Sequence, residues 1–186
     1  MDPIAIIDYG AGNLRSVQKA FEKLGYAADF VSDPALLDSA SAVVFPGQGA
    51  SPSAMAELQR HRMAESVCQW IRDGKPFFGV CLGLQLLMEH SEEGDTPGLG
   101  VVPGRAQRFE GNLKIPHMGW NAVEPVHSHP VFSGVPIGSY FYFVHSYYAA
   151  PTDSSWIAGV TNYGTEFASV LAKDNVIATQ FHPEKS

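Results

Sequence analysis

The sequence predicts an α/β fold, an open, mostly parallel mixed sheet flanked by helices. Three observations carry that prediction. The first half alternates apolar runs of strand length with stretches whose apolar residues recur at helical spacing, the mark of strand–helix–strand units. The strand candidates there are nearly unbroken apolar runs, as strands covered on both faces must be. From Gly94 onward the texture changes to short β-rich runs separated by Gly, Pro and Asn, which predicts a β-rich, partly antiparallel second half.

Each element follows in order. Residues 3–8 form an apolar strand, and Gly10-Ala11-Gly12 leads into Leu14, Val17, Phe21 and Leu24, one helix face closed by Gly25. Residues 26–31 and 42–45 read as the next strands. Ser51 and Pro52 then supply an N-cap and first turn for a helix carrying Met55 and Leu58, and a second helix with Val67, Trp70 and Ile71 ends at Gly74. Residues 76–80 are a fully apolar strand, and Leu82, Leu86 and Met88 continue as a helix to about His90. Later strands are expected around Ala106 and over 120–123, 140–145, 156–160, 167–171 and 176–181. No linker or low-complexity stretch divides the chain, so residues 1–186 are expected to form a single domain.

Length and charge narrow the functions. A chain of 186 residues is long enough to bury most of its surface without disulfides, and too short for a (β/α)₈ barrel of about 250 residues. Charged residues make up 17%, below the average of about 25%, which leaves room for a face covered by a partner. The net charge is −7 and the twelve Lys and Arg form no run, so no nucleic-acid partner is expected. The start carries no basic, apolar leader, and the longest apolar stretch, 77–88, is broken by Gly79, Gly83 and Gln85. No membrane partner is expected, and the location expected is cytoplasmic. The two cysteines, Cys68 and Cys81, cannot build a disulfide framework.

Gly79-Val80-Cys81-Leu82-Gly83 follows an apolar strand and precedes a helix, the thiol counterpart of the G-x-S-x-G nucleophile elbow. A cysteine there meets the helix dipole and free N–H groups, which stabilise its thiolate. A small buried residue is the competing reading, and strand, glycines and helix together weigh against it. Phe181-His182-Pro183-Glu184 follows the last strand; Pro183 keeps His182 extended, so His182 and Glu184 can point the same way. Coupled to the elbow, they complete a Cys-His-Glu triad of nucleophile, base and orienter. Gly47-Gln48-Gly49 also follows a strand, and with the Leu82 N–H it is a candidate oxyanion hole. On the loop alone, a plain Gly-rich turn is an equal reading.

Other residues are set aside. Cys68 lacks elbow glycines and a base, and reads as packing. His127 and His129 lack further spaced ligands, so no metal is expected. His117 and His145, with no carboxylate two residues on, read as structural or interface residues. Gly10-Ala11-Gly12 lacks the third glycine of a dinucleotide turn, and no cofactor is expected.

The blocks GVCLGLQ at 79–85, PGQG at 46–49 and FHPE at 181–184 resemble the class I (triad) glutamine amidotransferases. IDYGAGNLRSV at 7–17, IPHMGWN at 115–121, YFVHSYY at 142–148 and QFHPEKS at 180–186 narrow the resemblance to the glutaminases of histidine biosynthesis, from end to end of the chain. Leu84 and Gln48 stand where the family usually has Met and often Val, conservative differences. The resemblance implies the class I glutamine amidotransferase fold and hydrolysis of L-glutamine to glutamate and ammonia through a thioester on Cys81. It implies that Gln85 and the backbone around Ser146 and Tyr147 hold the amino-acid end of glutamine. It further implies that Asn13, Trp120, Asn121, Lys185 and Ser186 lie near a docking face for a (β/α)₈-barrel cyclase subunit, which receives the ammonia through an internal channel. The family usually continues past HPEKS into an apolar closing helix, so a truncated chain is expected.

Overall fold

The computed structural model describes residues 2–10 and 14–186. The parallel half is built from strands β1 (Ile4–Ile7), β2 (Ala28–Val31), β3 (Ala42–Gly47) and β4 (Phe77–Cys81), with helices α1 (Leu14–Lys23), α2 (Ser51–Arg60), α3 (Met63–Arg72) and the short α4 (Leu82–Gln85). The second half holds β5 (Met88–Ser91), β6 (Thr96–Pro97), β7 (Val102–Arg108), β8 (His117–Ala122), β9 (Glu124–Pro125), β10 (Tyr140–His145), β11 (Tyr147–Pro151), β12 (Ile157–Asn162), β13 (Glu166–Lys173) and β14 (Val176–Thr179).

A 12-stranded mixed sheet runs in the order β2-β1-β3-β4-β14-β13-β11-β7-β5-β6, with β12 and β9 attached beside β13. The pairs from β2 through β14 are parallel, and the strands beyond are mostly antiparallel. β8 and β10 form a separate antiparallel ribbon. Burial explains the apolar runs. In β1, Ala5 and Ile7 pack into the cluster that contains Leu58 of α2 and Val67 and Trp70 of α3, while Ile4 and Ile6 pack with Leu14 and Val17 of α1. Alternate residues face opposite sides of a strand, so a strand covered by helices on both sides has no polar face to display.

Two local expectations are corrected. The helix after the elbow ends at Gln85, and Met88–Ser91 is a strand that pairs in parallel with β7. Leu84, Leu86, Leu87 and Met88 are all fully buried, so neither a helical nor a strand period survives in that stretch. Ser51 is the first helical residue, not the N-cap; Ala50 holds that position, and the Ser51 N–H donates to Glu93 Oε2 at 2.7 Å.

The order of strands positions the chemistry. In β4 the neighbours are β3 on one side and β14 on the other, with Gly47 opposite Cys81 and Thr179 opposite Val80. Segments distant in sequence therefore leave the carboxyl edge of the sheet side by side, where open parallel sheets collect their ligands.

Candidate active site

Cys81 sits at the strand-to-helix junction with φ 56° and ψ −104°. A side chain other than glycine rarely adopts positive φ, and such strain persists only where the surroundings enforce it. The flanking glycines do so. A Cβ on Gly83 would lie 1.9 Å from the Phe45 carbonyl oxygen, and one on Gly79 would meet Ala178 Cβ and the Gly83 carbonyl at 3.1 Å. The turn is thus wedged between β3 and β14. The Cys81 thiol is buried, 3.9 Å from the Val144 carbonyl and 3.7 Å from Gln180 Nε2.

His182 and Glu184 follow β14. His182 Nδ1 bonds Glu184 Oε1 at 2.9 Å, with side chains 2% and 4% exposed. The His182 N–H donates to the Tyr142 carbonyl at 2.9 Å, and its own carbonyl accepts from Ser186 Oγ at 2.7 Å, so the segment is fixed from both sides. With Nδ1–H donated to Glu184, Nε2 is the ring nitrogen left to exchange a proton with the thiol, and among the described residues it makes no hydrogen bond. Burial pulls the His182 pKa down, yet the interactions with Cys81 and Glu184 outweigh it and raise the value to about 9.

A cavity of about 490 Å³ opens on these groups. Cys81 and His182 line it together with Gly47, Gln48 and Gly49 from the end of β3, and with Leu82 and Gln85 of α4. Ser146 and Tyr147 also line it. The cavity is lined by every residue that the sequence names for thiol, base, loop and substrate end, and Glu184 stands behind it on His182. Arranged in this way, a thiol, an imidazole held by a carboxylate and a Gly-rich loop have the parts of an acyl-transfer site.

The glutamine amidotransferase class-I family pattern matches residues 5–186. The chain is 49% identical to the imidazole glycerol phosphate synthase subunit HisH of Aromatoleum aromaticum, covering all of this chain and 92% of that one. It is 50% identical to the protein of the same name in Nitrosococcus oceani, covering all of this chain and 91% of the relative. The chain belongs to the class I glutamine amidotransferases, among the HisH subunits. Its fold is also that of a crystallised glutamine amidotransferase, with a TM-score of 0.77 at 18% identity over 97% of this chain and 90% of that one. PurLQS from Thermotoga maritima gives 0.76 at 17% identity, over 99% of this chain and 89% of that one.

Within this amidotransferase the residues expected at a docking face fall on different sides of the ribbon. Trp120 is 57% exposed, next to Met118 at the same exposure and Tyr140 at 64%. Lys185 lies 5.7 Å from the Tyr142 ring, and both reach the cavity wall. Asn121, one position on from Trp120, turns the other way, donating to the Asn162 carbonyl at 2.9 Å and meeting His117 Nε2 at 3.3 Å. Asn13 lies outside the described residues.

His117 and His145 are structural. His117 Nδ1 meets His145 Nε2 at 2.9 Å, and His145 Nδ1 meets the Tyr147 carbonyl at 2.7 Å, so an unbroken chain runs from Asn121 to the cavity wall. Burial lowers the two pKa values to about 4 and about 3. Cys68 sits in its helix with Sγ 3.6 Å from the Leu99 carbonyl, and burial raises its pKa. His129 caps a turn, accepting from the Val131 N–H at 3.1 Å. Sequence reasoning missed two residues. Gln180 touches the thiol, and Tyr9 has a buried hydroxyl with no hydrogen-bond partner among the described residues, 2.6 Å from where a Cβ on Gly47 would stand. Gln180 was within reach, since it directly precedes the FHPE block; Tyr9 carries no signal except its place at the end of β1.

Proposed function

We propose that this chain is the glutaminase subunit of a heterodimeric imidazole glycerol phosphate synthase, hydrolysing L-glutamine and handing its ammonia to a (β/α)₈-barrel cyclase subunit. The observation that carries the reading is the positive-φ Cys81 sharing one cavity with His182, whose ring is held by Glu184 at 2.9 Å. His182 Nε2 takes the thiol proton as Sγ attacks the γ-amide carbon. The oxyanion formed is met by the Leu82 N–H at the start of α4 and by N–H groups of the loop Gly47 to Gly49. The imidazolium returns its proton to the amide nitrogen, and ammonia leaves as the thioester forms. Water, activated by the same nitrogen, then cleaves the thioester to glutamate and restores the thiol. Glu184 keeps the ring oriented and stabilises its charged form.

Gln85, with the backbone around Ser146 and Tyr147, holds the amino-acid end of glutamine in this cavity. The exposed apolar side chains Met118, Trp120 and Tyr140, with Lys185 beside Tyr142 opposite Trp120, support a docking face there, since scattered charges would be the ordinary choice for a free surface. The ammonia then serves to make imidazole glycerol phosphate and aminoimidazole carboxamide ribotide from a phosphoribulosyl precursor. The test uses the assembled complex. Cys81→Ala should lose glutamine-dependent synthesis while keeping complex formation and synthesis from free ammonia, and Cys68→Ala should lose neither. Glutamine hydrolysis persisting in Cys81→Ala overturns the reading.

A further inference from the structure

The side chain of Gln180, between β14 and His182, is fully buried. Its Nε2 lies 3.7 Å from Cys81 Sγ, and its Oε1 accepts from Gln85 Nε2 at 3.2 Å. Gln85 Nε2 also donates to the Tyr147 carbonyl at 2.8 Å. These contacts fix which way both carboxamides point. A backbone carbonyl only accepts, so Gln85 must place its NH₂ there; the same NH₂ faces Gln180, which must answer with its oxygen. Only an N–H remains for the sulfur.

We propose that Gln180 is a dedicated hydrogen-bond donor to the Cys81 thiolate, locked in the donating orientation by Gln85. The proposal rests on Cys81 as nucleophile and adds a group that sets how readily it ionises. A thiolate accepts a hydrogen bond more strongly than a thiol, so a fixed donor favours the charged form. In a buried site that preference is larger than in water. The other titratable groups around the thiol are His182, beyond β14, and Tyr9, beyond β1, with Glu93, Tyr142, His145, Tyr147 and Lys185 also on the cavity wall. None of them is altered in the variants below.

The experiment measures the rate of Cys81 alkylation by iodoacetamide against pH in the complex, in a Cys68→Ala background so that a single thiol of this chain reports. Gln180→Met removes the donor at similar volume. Gln180→Glu keeps the acceptor for Gln85 and turns an oxygen to the sulfur. Both should shift the alkylation midpoint up by about one pH unit or more, with about tenfold slower alkylation below the midpoint, and the Glu variant should shift further. kcat for glutamine should fall more than KM changes. An unchanged midpoint in a variant with unaltered thermal unfolding overturns the proposal. Gln85→Leu leaves Gln180 in place and frees it to turn, so it should shift the midpoint in the same direction by less. If neither position-180 variant folds, that variant decides, and no shift in it rejects the idea. Alkylation does not depend on turnover, so failure of the glutaminase reading would show separately, as activity surviving in Cys81→Ala.

Discussion

Three residue types in the right company made the site legible: a cysteine between glycines after an apolar strand, a histidine before a proline, and a glutamate two residues on. Their chemistry is intrinsic to the side chains, and their spacing is local. What spacing could not supply is Gln180, because glutamine is a common residue and its contact with the thiol joins segments 99 positions apart. The division of labour at the triad gives a prediction. In the proposed mechanism His182 moves protons whereas Glu184 only positions and stabilises the ring, so Glu184→Gln should retain on the order of 10 to 100 times more activity than His182→Ala, as a single orienting carboxylate does in other triads. Steady-state kcat/KM for glutamine in the complex checks it, and equal rates in both variants and the unmodified protein would remove the triad.

At the scale of elements, glycines decide. Gly83→Ala would drive a methyl group into the Phe45 carbonyl, and a backbone carbonyl held in the sheet has no soft way to yield. The expected cost is at least about 1–3 kcal/mol of stability, with loss of the elbow geometry, measured by urea unfolding and by activity. Gly47 presents a different case. A Cβ there would stand 2.6 Å from Tyr9 Oη and 2.8 Å from Leu82 Cβ, crowding the candidate oxyanion hole. Gly47→Val should therefore cut glutamine turnover by about 10²-fold or more, the cost of misplacing an oxyanion donor, while leaving complex formation intact. A turnover within a few-fold of normal would show that the loop tolerates crowding and does not serve the oxyanion. The elements that sequence misjudged, the short α4 and the strand β5, lie where leucines are buried on every side. There hydrophobic periodicity carries no information, and only the pairing of β5 with β7 distinguishes strand from helix.

For the whole molecule, the buried histidines set the pH response. His117 and His145 have folded-state pKa values of about 4 and 3, below their ordinary 6.5. Below pH 6.5 the unfolded chain binds protons that the folded one refuses, so stability falls as pH drops from 6.5 towards 4. His182, raised to about 9, acts in the opposite sense: its stabilisation is complete below 6.5 and is lost as pH rises through 9. From these groups Tm should peak near pH 6.5 and decline on both sides; a Tm flat from pH 4.5 to 6.5 would contradict the neutral, buried pair. Assembly gives the last expectation. Gly49, at φ +108°, has the freedom to let the loop change its backbone direction, and one donor turned away costs about 10² to 10³ in rate. The chain alone should hydrolyse glutamine slowly, and the complex with cyclase ligand far faster. Similar rates for the chain alone, the complex and the liganded complex would show that the loop does not gate catalysis.

The sequence by itself determined the α/β class, the elbow, the histidine paired with its carboxylate, and the Gly-rich loop, because each is written in neighbouring residues whose conformational and chemical preferences act over a few positions. It also determined the partly antiparallel character of the second half through its turn residues. Only the tertiary structure decided that β14 returns to lie beside β4, bringing His182 to Cys81, and that β3 flanks the other side, bringing Gly47 opposite the thiol. It alone turned Asn121 inward and Trp120 outward, and placed Gln180 on the sulfur. Strand order and side-chain partners across the sheet depend on which long-range pairings bury the most apolar surface and satisfy the most buried polar groups, sums over the whole chain that no local pattern records.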